Sequence, residues 1–393
     1  MSETAGSGKP GPMASVAPPQ WRVPLADVVV TAADIAAVAD VYRSGWLSQG
    51  PLAKEFEAAF ADYTGAPCAV AVTNCTAALH LMAMAAGLAP GDEVIMPSLT
   101  FVATANAVAY TGATPVFADI AGLAEPWMDP DSVRARITPR TKAIMSMPYG
   151  GHPGETLALA ELAEEHGLLL LEDAAHALGS RIGARHLGTF GWAGAYSFFS
   201  NKNLTVGEGG MVVCPDEDVA ARLRLLRSHG MTTLSWDRHR GHATGYDVVT
   251  RGHNFRIDEA RCALGLSRLG RLEHENGLRA VLDRDYRERL REVPQVEATL
   301  APGGGGTLAH HLFTVVLAEG IDRDATRRAL AEQGVQTSVH YPPAHRFQIF
   351  ADAATHLPVT DAYAARAITL PMYAHMTEEQ VEIVTSALAG AVA

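Results

Sequence analysis

Between about residues 65 and 230, short runs of continuous apolar residues alternate with segments whose apolar positions recur every three or four residues. The strand-like runs are Ala69 to Val72, Glu93 to Met96, Pro115 to Ala118, Lys142 to Met147, Leu168 to Leu171 and Met211 to Val213. Helical spacing marks Thr76 to Gly87, Thr100 to Tyr110 and Thr156 to His166, with Gly87 and Gly167 as stops. Strands that are apolar throughout and separated by amphipathic helices predict an α/β fold. Its large, mostly parallel mixed sheet is covered by helices on both faces. Ligands of such sheets sit beyond the carboxyl ends of the strands.

The second half reads differently. Residues 257 to 293 predict one long helical region, solvated over its charge-rich stretch from Arg279 to Arg291. Gly303 to Gly306 reads as a flexible joint. A strand from His311 to Leu317, a helix from Arg323 to Gln333, a strand from Val335 to His340 and a helix from Thr377 to Leu388 follow. The expected organisation is a tail over residues 1–20, an amino-terminal arm with a large α/β domain over 21–255, and a linking helix with a small α+β domain over 256–393.

Composition narrows the function. With 393 residues, 48% of them hydrophobic, the chain can bury one large core and one smaller one. A net charge of -12 argues against a general nucleic-acid binder, though it permits a local basic pocket. The first twenty residues, rich in Gly, Pro, Ser and Ala, lack an apolar signal core and read as a mobile tail. No apolar run approaches the ~18 residues of a membrane span. Cys68, Cys75, Cys214 and Cys262 have no C-x-x-C spacing and fit the reduced thiols of a cytoplasmic protein.

Candidate chemistry centres on Lys202. A strand-like stretch, Ser197-Phe198-Phe199, delivers this lysine into a turn of small and polar residues that ends in Gly209-Gly210. Desolvation at the mouth of a sheet lowers an amine's pKa and makes it nucleophilic, although most lysines are solvated surface charges. The run Leu168 to Leu171 ends in Glu172-Asp173-Ala174-Ala175-His176. Strand alternation sends Glu172 and Asp173 to opposite sides, so Asp173 is the better partner for a protonated ring nitrogen. A strand-end aspartate can equally cap the next turn. Asn74-Cys75-Thr76 lies where a strand opens into a helix, which makes either an anion site or an ordinary cap. Phe101 fits a ring face or a core position, and His176 a ring contact or a satisfied core histidine.

Taken in order, Asn-x-Thr-Ala-Ala-Leu at 74–79, P-S-x-T-F at 97–101, Glu-Asp-Ala-Ala-His at 172–176 and S-F-F-x-x-K-N-L-x-x-G-E-G-G at 197–210 resemble the DegT/DnrJ/EryC1/StrS family. Ser44 to Gly50, Gly252-His253-Asn254-Phe255-Arg256, Tyr341-Pro342-Pro343 and Leu370-Pro371-Met372-Tyr373 extend the resemblance from about residue 22 to 390. It implies a fold-type I pyridoxal 5'-phosphate (PLP) enzyme, chiefly an aminotransferase acting on nucleotide-linked keto-sugars and related aminocyclitol precursors. Lys202 would form the Schiff base, Asp173 pair with the pyridine nitrogen, His176 lie near the ring hydroxyl and Phe101 stack on the ring. Thr76 and Ser197 would hold the phosphate, with Asn254 contributing from the neighbouring subunit of a homodimer. The chain departs from the family's frequent Ser-Gly-Thr turn by carrying Cys75, so a phosphate contact at residue 75 competes with simple packing there.

The resemblance also frames the alternatives. The expected donor is glutamate or glutamine. Lysine at 202 speaks against the branch that carries histidine there and removes a hydroxyl. Gly207-Glu208-Gly209-Gly210 is closer to members that aminate carbon 4 of a hexose than carbon 3. An aminocyclitol aminotransferase and a non-catalytic PLP-binding regulator are the competing readings; no DNA-binding module is read ahead of the fold. The composition, rich in Gly, Ala and Arg, is associated with high-GC bacteria and antibiotic or amino-sugar biosynthesis. His229 to His253, with Trp236, Arg238, Arg240 and Arg251, reads either as an arm that binds an acceptor's diphosphate or as a solvated loop or dimer arm. His239 with His242, and His310 with His311, lack companion ligands, so no metal is expected.

Overall fold

The computed structural model describes residues 21–233, 245–302, 306–353 and 356–393. The amino-terminal tail, Trp236, Arg238, His239, Arg240 and His242, and residues 303–305 of the glycine joint lie outside the described residues. In chain order the first elements are α1 (Ala32–Ser44), α2 (Pro51–Thr64), β1 (Cys68–Val72), α3 (Cys75–Ala85), β2 (Glu93–Pro97), α4 (Val102–Ala109) and β3 (Thr114–Ala118). Next come α5 (Pro130–Arg134), β4 (Thr141–Ser146), α6 (Thr156–Glu165), β5 (Leu169–Asp173), the short pair β6 (Arg181–Ile182) and β7 (Arg185–His186), β8 (Ala193–Ser197), β9 (Gly210–Cys214) and α7 (Glu217–Arg227).

Seven of these strands form one sheet in the order β1-β9-β8-β5-β4-β2-β3. The pairs β2–β3, β2–β4, β4–β5 and β5–β8 are parallel, whereas β9 runs antiparallel to both β1 and β8. The reversal has a simple cause: no helix separates β8 from β9, and a parallel return needs a crossover. Successive residues of β2 serve opposite faces. Val94 and Met96 pack with α3, α4 and α7, while Ile95 packs with Leu159 and Leu162 of α6. The expected α/β sheet between helix layers is therefore observed.

After α7 come α8 (Glu259–Leu269), α9 (Leu272–Leu290), β10 (Val296–Thr299), β11 (Phe313–Leu317), α10 (Arg323–Glu332), α11 (Pro358–Arg366), β12 (Ala367–Leu370) and α12 (Glu378–Val392). A three-stranded sheet, β10-β11-β12, shares its core with α9, α10 and α12 through Leu282, Tyr286, Val315, Leu330, Val384 and Leu388.

Several expectations change. The long helix over 257–293 is two helices, interrupted at Gly270 and Arg271. The strand at Val335 to His340 is absent because its residues pair with two different partners, Val335 with Val23 and Ser338 with Thr369. A ladder needs successive pairs on one partner. The strand before Lys202 is Ala193–Ser197 instead of Ser197 to Phe199. The strand expected from His311 begins at Phe313, and His310 has a left-handed backbone with φ 46. Among the described residues no helix is long and apolar enough to cross a membrane.

Candidate active site

The carboxyl ends of β1, β2, β5 and β8 converge on one cavity of about 650 Å³. Where β1 gives way to α3, the extended residue Asn74 caps the helix, its side-chain oxygen accepting the Ala77 N–H at 2.8 Å. The N–H groups of Cys75 and Thr76, in the first helical turn, have no intrahelical carbonyl to meet and present a positive end to the cavity. Gly210 at the start of β9 lies against this turn. A Cβ there would stand 2.6 Å from Asn74 C and 2.8 Å from Cys75 N, so glycine keeps the turn in place. Cys75 lines the cavity, and burial with Asp173 nearby pushes its thiol well above the ordinary range, which keeps it protonated.

At the end of β5 the two adjacent carboxylates part, as strand alternation predicts. Glu172 turns away and accepts N–H groups from Gly188 at 2.7 Å and Gly191 at 2.6 Å. Asp173 lines the cavity, where it accepts the Thr104 hydroxyl at 2.6 Å and the Ala175 N–H at 3.2 Å. Thr104 is steadied in turn by Thr100, whose hydroxyl lies 2.7 Å away. Burial raises the Asp173 pKa, and the Thr104 and Ala175 hydrogen bonds and Lys202 oppose it. Among the described residues no cationic side chain forms an ion pair with Asp173. A buried carboxyl left in this state suits a partner that brings its own proton.

Lys202 sits in the bend between β8 and β9 and projects its amine into the same cavity. Burial lowers its pKa from 10.5 to about 8, against the opposing pull of Cys75 and Asp173. The amine lies 3.2 Å from His311 Nε2. On the facing wall His176 accepts the Gly150 N–H on Nδ1 at 3.3 Å, so its Nε2–H donates to the Tyr341 hydroxyl at 2.8 Å. Burial holds His176 well below the usual histidine range, hence neutral, and the Tyr341 phenol well above its own.

Of the residues singled out in the sequence, Cys75, Thr76, Phe101, Asp173, His176, Ser197 and Lys202 all line this cavity. Phe101 stands at the mouth as the amino-terminal cap of α4, its ring centroid 5.8 Å from that of Tyr341. Asn254 does not line it; it is exposed, bridged to Ser228, and next to Phe255, which does. Sequence reasoning passed over Thr104, His311 and Tyr341 as site residues. Tyr341 was legible only as part of a turn motif, and His311 only as half of a histidine pair. Those two histidines diverge: His310 Nδ1 faces Asp283 at 3.6 Å, whereas His311 faces Lys202.

Residues 29–389 match the profile of the DegT/DnrJ/EryC1/StrS aminotransferase family. The chain belongs to that family. As a member it is a PLP-dependent aminotransferase. Similar solved structures include DesV from S. venezuelae, 37% identical with a TM-score of 0.83, over 91% of this chain and 93% of DesV. The sugar aminotransferase CalS13 from Micromonospora echinospora is 30% identical with a TM-score of 0.85, over 94% of this chain and 99% of that one. Spr1654 from Streptococcus pneumoniae, in its PLP-form, is 26% identical with a TM-score of 0.87, over 94% of this aminotransferase and 98% of Spr1654.

Proposed function

We propose that this sugar aminotransferase moves an amino group from glutamate or glutamine to a nucleotide-linked keto-hexose, at carbon 4 or carbon 3, in bacterial amino-sugar or antibiotic biosynthesis. The observation that carries the reading is the meeting of a desolvated amine, Lys202, with the buried Asp173 carboxyl and the anion-accepting turn of α3 in one cavity. Such a set suits a phosphorylated pyridine aldehyde: the turn takes the phosphate, the carboxyl the ring nitrogen, and the amine the aldehyde.

In this reading the N–H groups of Cys75 and Thr76 and the hydroxyls of Thr76 and Ser197 hold the phosphate. Asp173 keeps a proton on the ring nitrogen, Phe101 covers one ring face, and His176 faces the ring hydroxyl. Asn254 reaches the site of the neighbouring subunit in a homodimer. When bound, PLP supplies an electron sink for the carbon that loses or gains a proton. Lys202, once free, takes that proton on Nζ and returns it on the opposite side of the exchange. An amine pKa near 8 leaves a usable neutral fraction at neutral pH, where an ordinary lysine would be almost wholly protonated. Tyr341 keeps its proton and, receiving the His176 Nε2–H, can point its own hydroxyl hydrogen into the cavity.

The test is a two-stage assay on the holoprotein. Glutamate or glutamine should bleach the long-wavelength absorbance of the bound cofactor, and a nucleotide-linked keto-hexose should then restore it while gaining an amine by mass spectrometry. Lys202→Ala should fold normally and show neither change. A wild-type band untouched by every amino donor would overturn the donor half. Amination of keto-inositols with no turnover of keto-hexoses would replace the sugar acceptor with a cyclitol.

A further inference from the structure

The partner of the Lys202 amine is an imidazole, and the direction of that hydrogen bond can be derived from the backbone. Asn276 Nδ2 donates to the Leu178 carbonyl at 3.1 Å, which turns its side-chain oxygen toward Asn203. Asn203 Nδ2 donates to that oxygen at 2.7 Å and to the Ala309 carbonyl at 2.6 Å. A carbonyl only accepts, so both Nδ2 hydrogens of Asn203 are used and its Oδ1 must face the other way. That Oδ1 lies 3.0 Å from His311 Nδ1, which must therefore carry the proton. Burial, with Lys202 as the next cause, holds His311 well below the ordinary histidine range and keeps it neutral. Its Nε2, 3.2 Å from Lys202 Nζ, is left with a lone pair.

The tautomer decides what the lysine can do. A His311 protonated on Nε2 would donate to the neutral amine and occupy the lone pair that Lys202 needs as nucleophile and base. With the proton on Nδ1, His311 only accepts: it takes one amine hydrogen and leaves the amine lone pair free for the cavity. Asn203, Asn276 and His311 are all buried, so the chain of bonds is shielded from competing water. Gly179 is part of the arrangement, since a Cβ there would come 2.2 Å from Asn276 Nδ2.

We propose that His311 is the positioning residue of Lys202, an obligate acceptor oriented by Asn203 and Asn276 that holds the free amine by one hydrogen and keeps its lone pair available. The inference rests on the reading of Lys202 as the reactive amine. Other titratable groups around this amine are Asp173, Cys75, His176 and His340, all present in every variant below.

The experiment follows the pH dependence with which the full-length apoprotein captures pyridoxal, read by absorbance, with the borohydride-fixed adduct located by peptide mass. In the wild type the adduct should lie on Lys202 with a midpoint near 8, as its lowered pKa requires. His311→Phe keeps a ring but removes the acceptor that favours the protonated amine, so the midpoint should fall by about one to two pH units. His311→Gln, whose carbonyl can accept, should stay close to wild type. An unshifted midpoint in His311→Phe, or an equal fall in both variants, overturns the positioning role alone. A wild-type adduct on another lysine overturns the reading of Lys202 itself. If His311→Phe does not fold, nitrogen-15 histidine spectra of the wild-type apoprotein decide: an Nδ1-protonated His311 supports the proposal, and an Nε2-protonated one overturns it.

Discussion

Asp173 and Glu172 are neighbours in sequence with opposite environments. Glu172 is enclosed by the N–H groups of Gly188 and Gly191, and burial raises its pKa to about 7. Among the described residues Asp173 has only the Thr104 hydroxyl and one N–H as hydrogen-bond donors, on the cavity side. Asp173→Asn keeps the shape and one acceptor oxygen for the Ala175 N–H, puts an amide donor opposite the Thr104 hydroxyl, and removes the charge that would hold a ring-nitrogen proton. Turnover should fall about ten- to a hundredfold, the worth of one charge-assisted hydrogen bond. Steady-state rates check this, with circular dichroism confirming the fold; near-normal rates would mean the wrong carboxylate was chosen. The choice between the two carboxylates was legible because strand alternation is a local property. Thr104 and His311 were not, because their partners stand 69 and 109 positions away in the chain.

At the scale of elements, the strongly periodic or wholly apolar segments were readable and the weakly patterned ones were not. β8 reads Ala-Gly-Ala-Tyr-Ser, with no β-branched residue, and becomes a strand through its pairing with β5 and β9. Gly194 within it is required by close packing, since a Cβ would meet the Gly188 carbonyl oxygen at 2.1 Å. The reversal of β9 likewise follows from the absence of a crossover helix, which no single segment displays. One buried ion pair joins three elements behind the site. Arg227 of α7 donates to Glu57 of α2 at 2.6 Å and to the Ala71 carbonyl of β1 at 2.7 Å, while Glu57 accepts the Ala71 N–H at 3.0 Å. Removing Arg227 leaves the buried Glu57 with only the longer contact to Arg224, at 3.7 Å, as a cationic partner. Arg227→Met should therefore cost about 3 kcal/mol in denaturant unfolding, the low end for a broken buried pair, because Arg224 still faces Glu57. A loss below about 1 kcal/mol, the scale of a surface pair, would show the pair to be dispensable.

At the scale of the whole molecule, the cavity mouth carries Phe101, Tyr110 and Phe199, and Tyr246, Val248 and Val249 are exposed on the segment that leads to Asn254. Exposed apolar side chains of this size favour association with another surface. The proposed homodimer should sediment at twice the chain mass at micromolar concentration, and Asn254→Ala should weaken cofactor retention without dissociating it. A monomer that retains PLP fully would remove the reason for assigning Asn254 to a neighbouring site.

The sequence by itself determined the α/β class and the family resemblance, and it supplied the candidates proposed as Schiff-base lysine, ring-facing carboxylate and anion-binding turn. Each depends on a contiguous pattern: strand alternation, a cap at a strand-to-helix junction, or an ordered motif. Only the tertiary structure decided that β9 runs backwards, that Lys202 is desolvated, and that His311, Asn203 and Asn276 fix the direction of its hydrogen bond. Those features need backbone carbonyls and side chains brought together from distant segments. The tautomer of His311 is determined by the carbonyls of Leu178 and Ala309, which folding alone sets beside the lysine's neighbours.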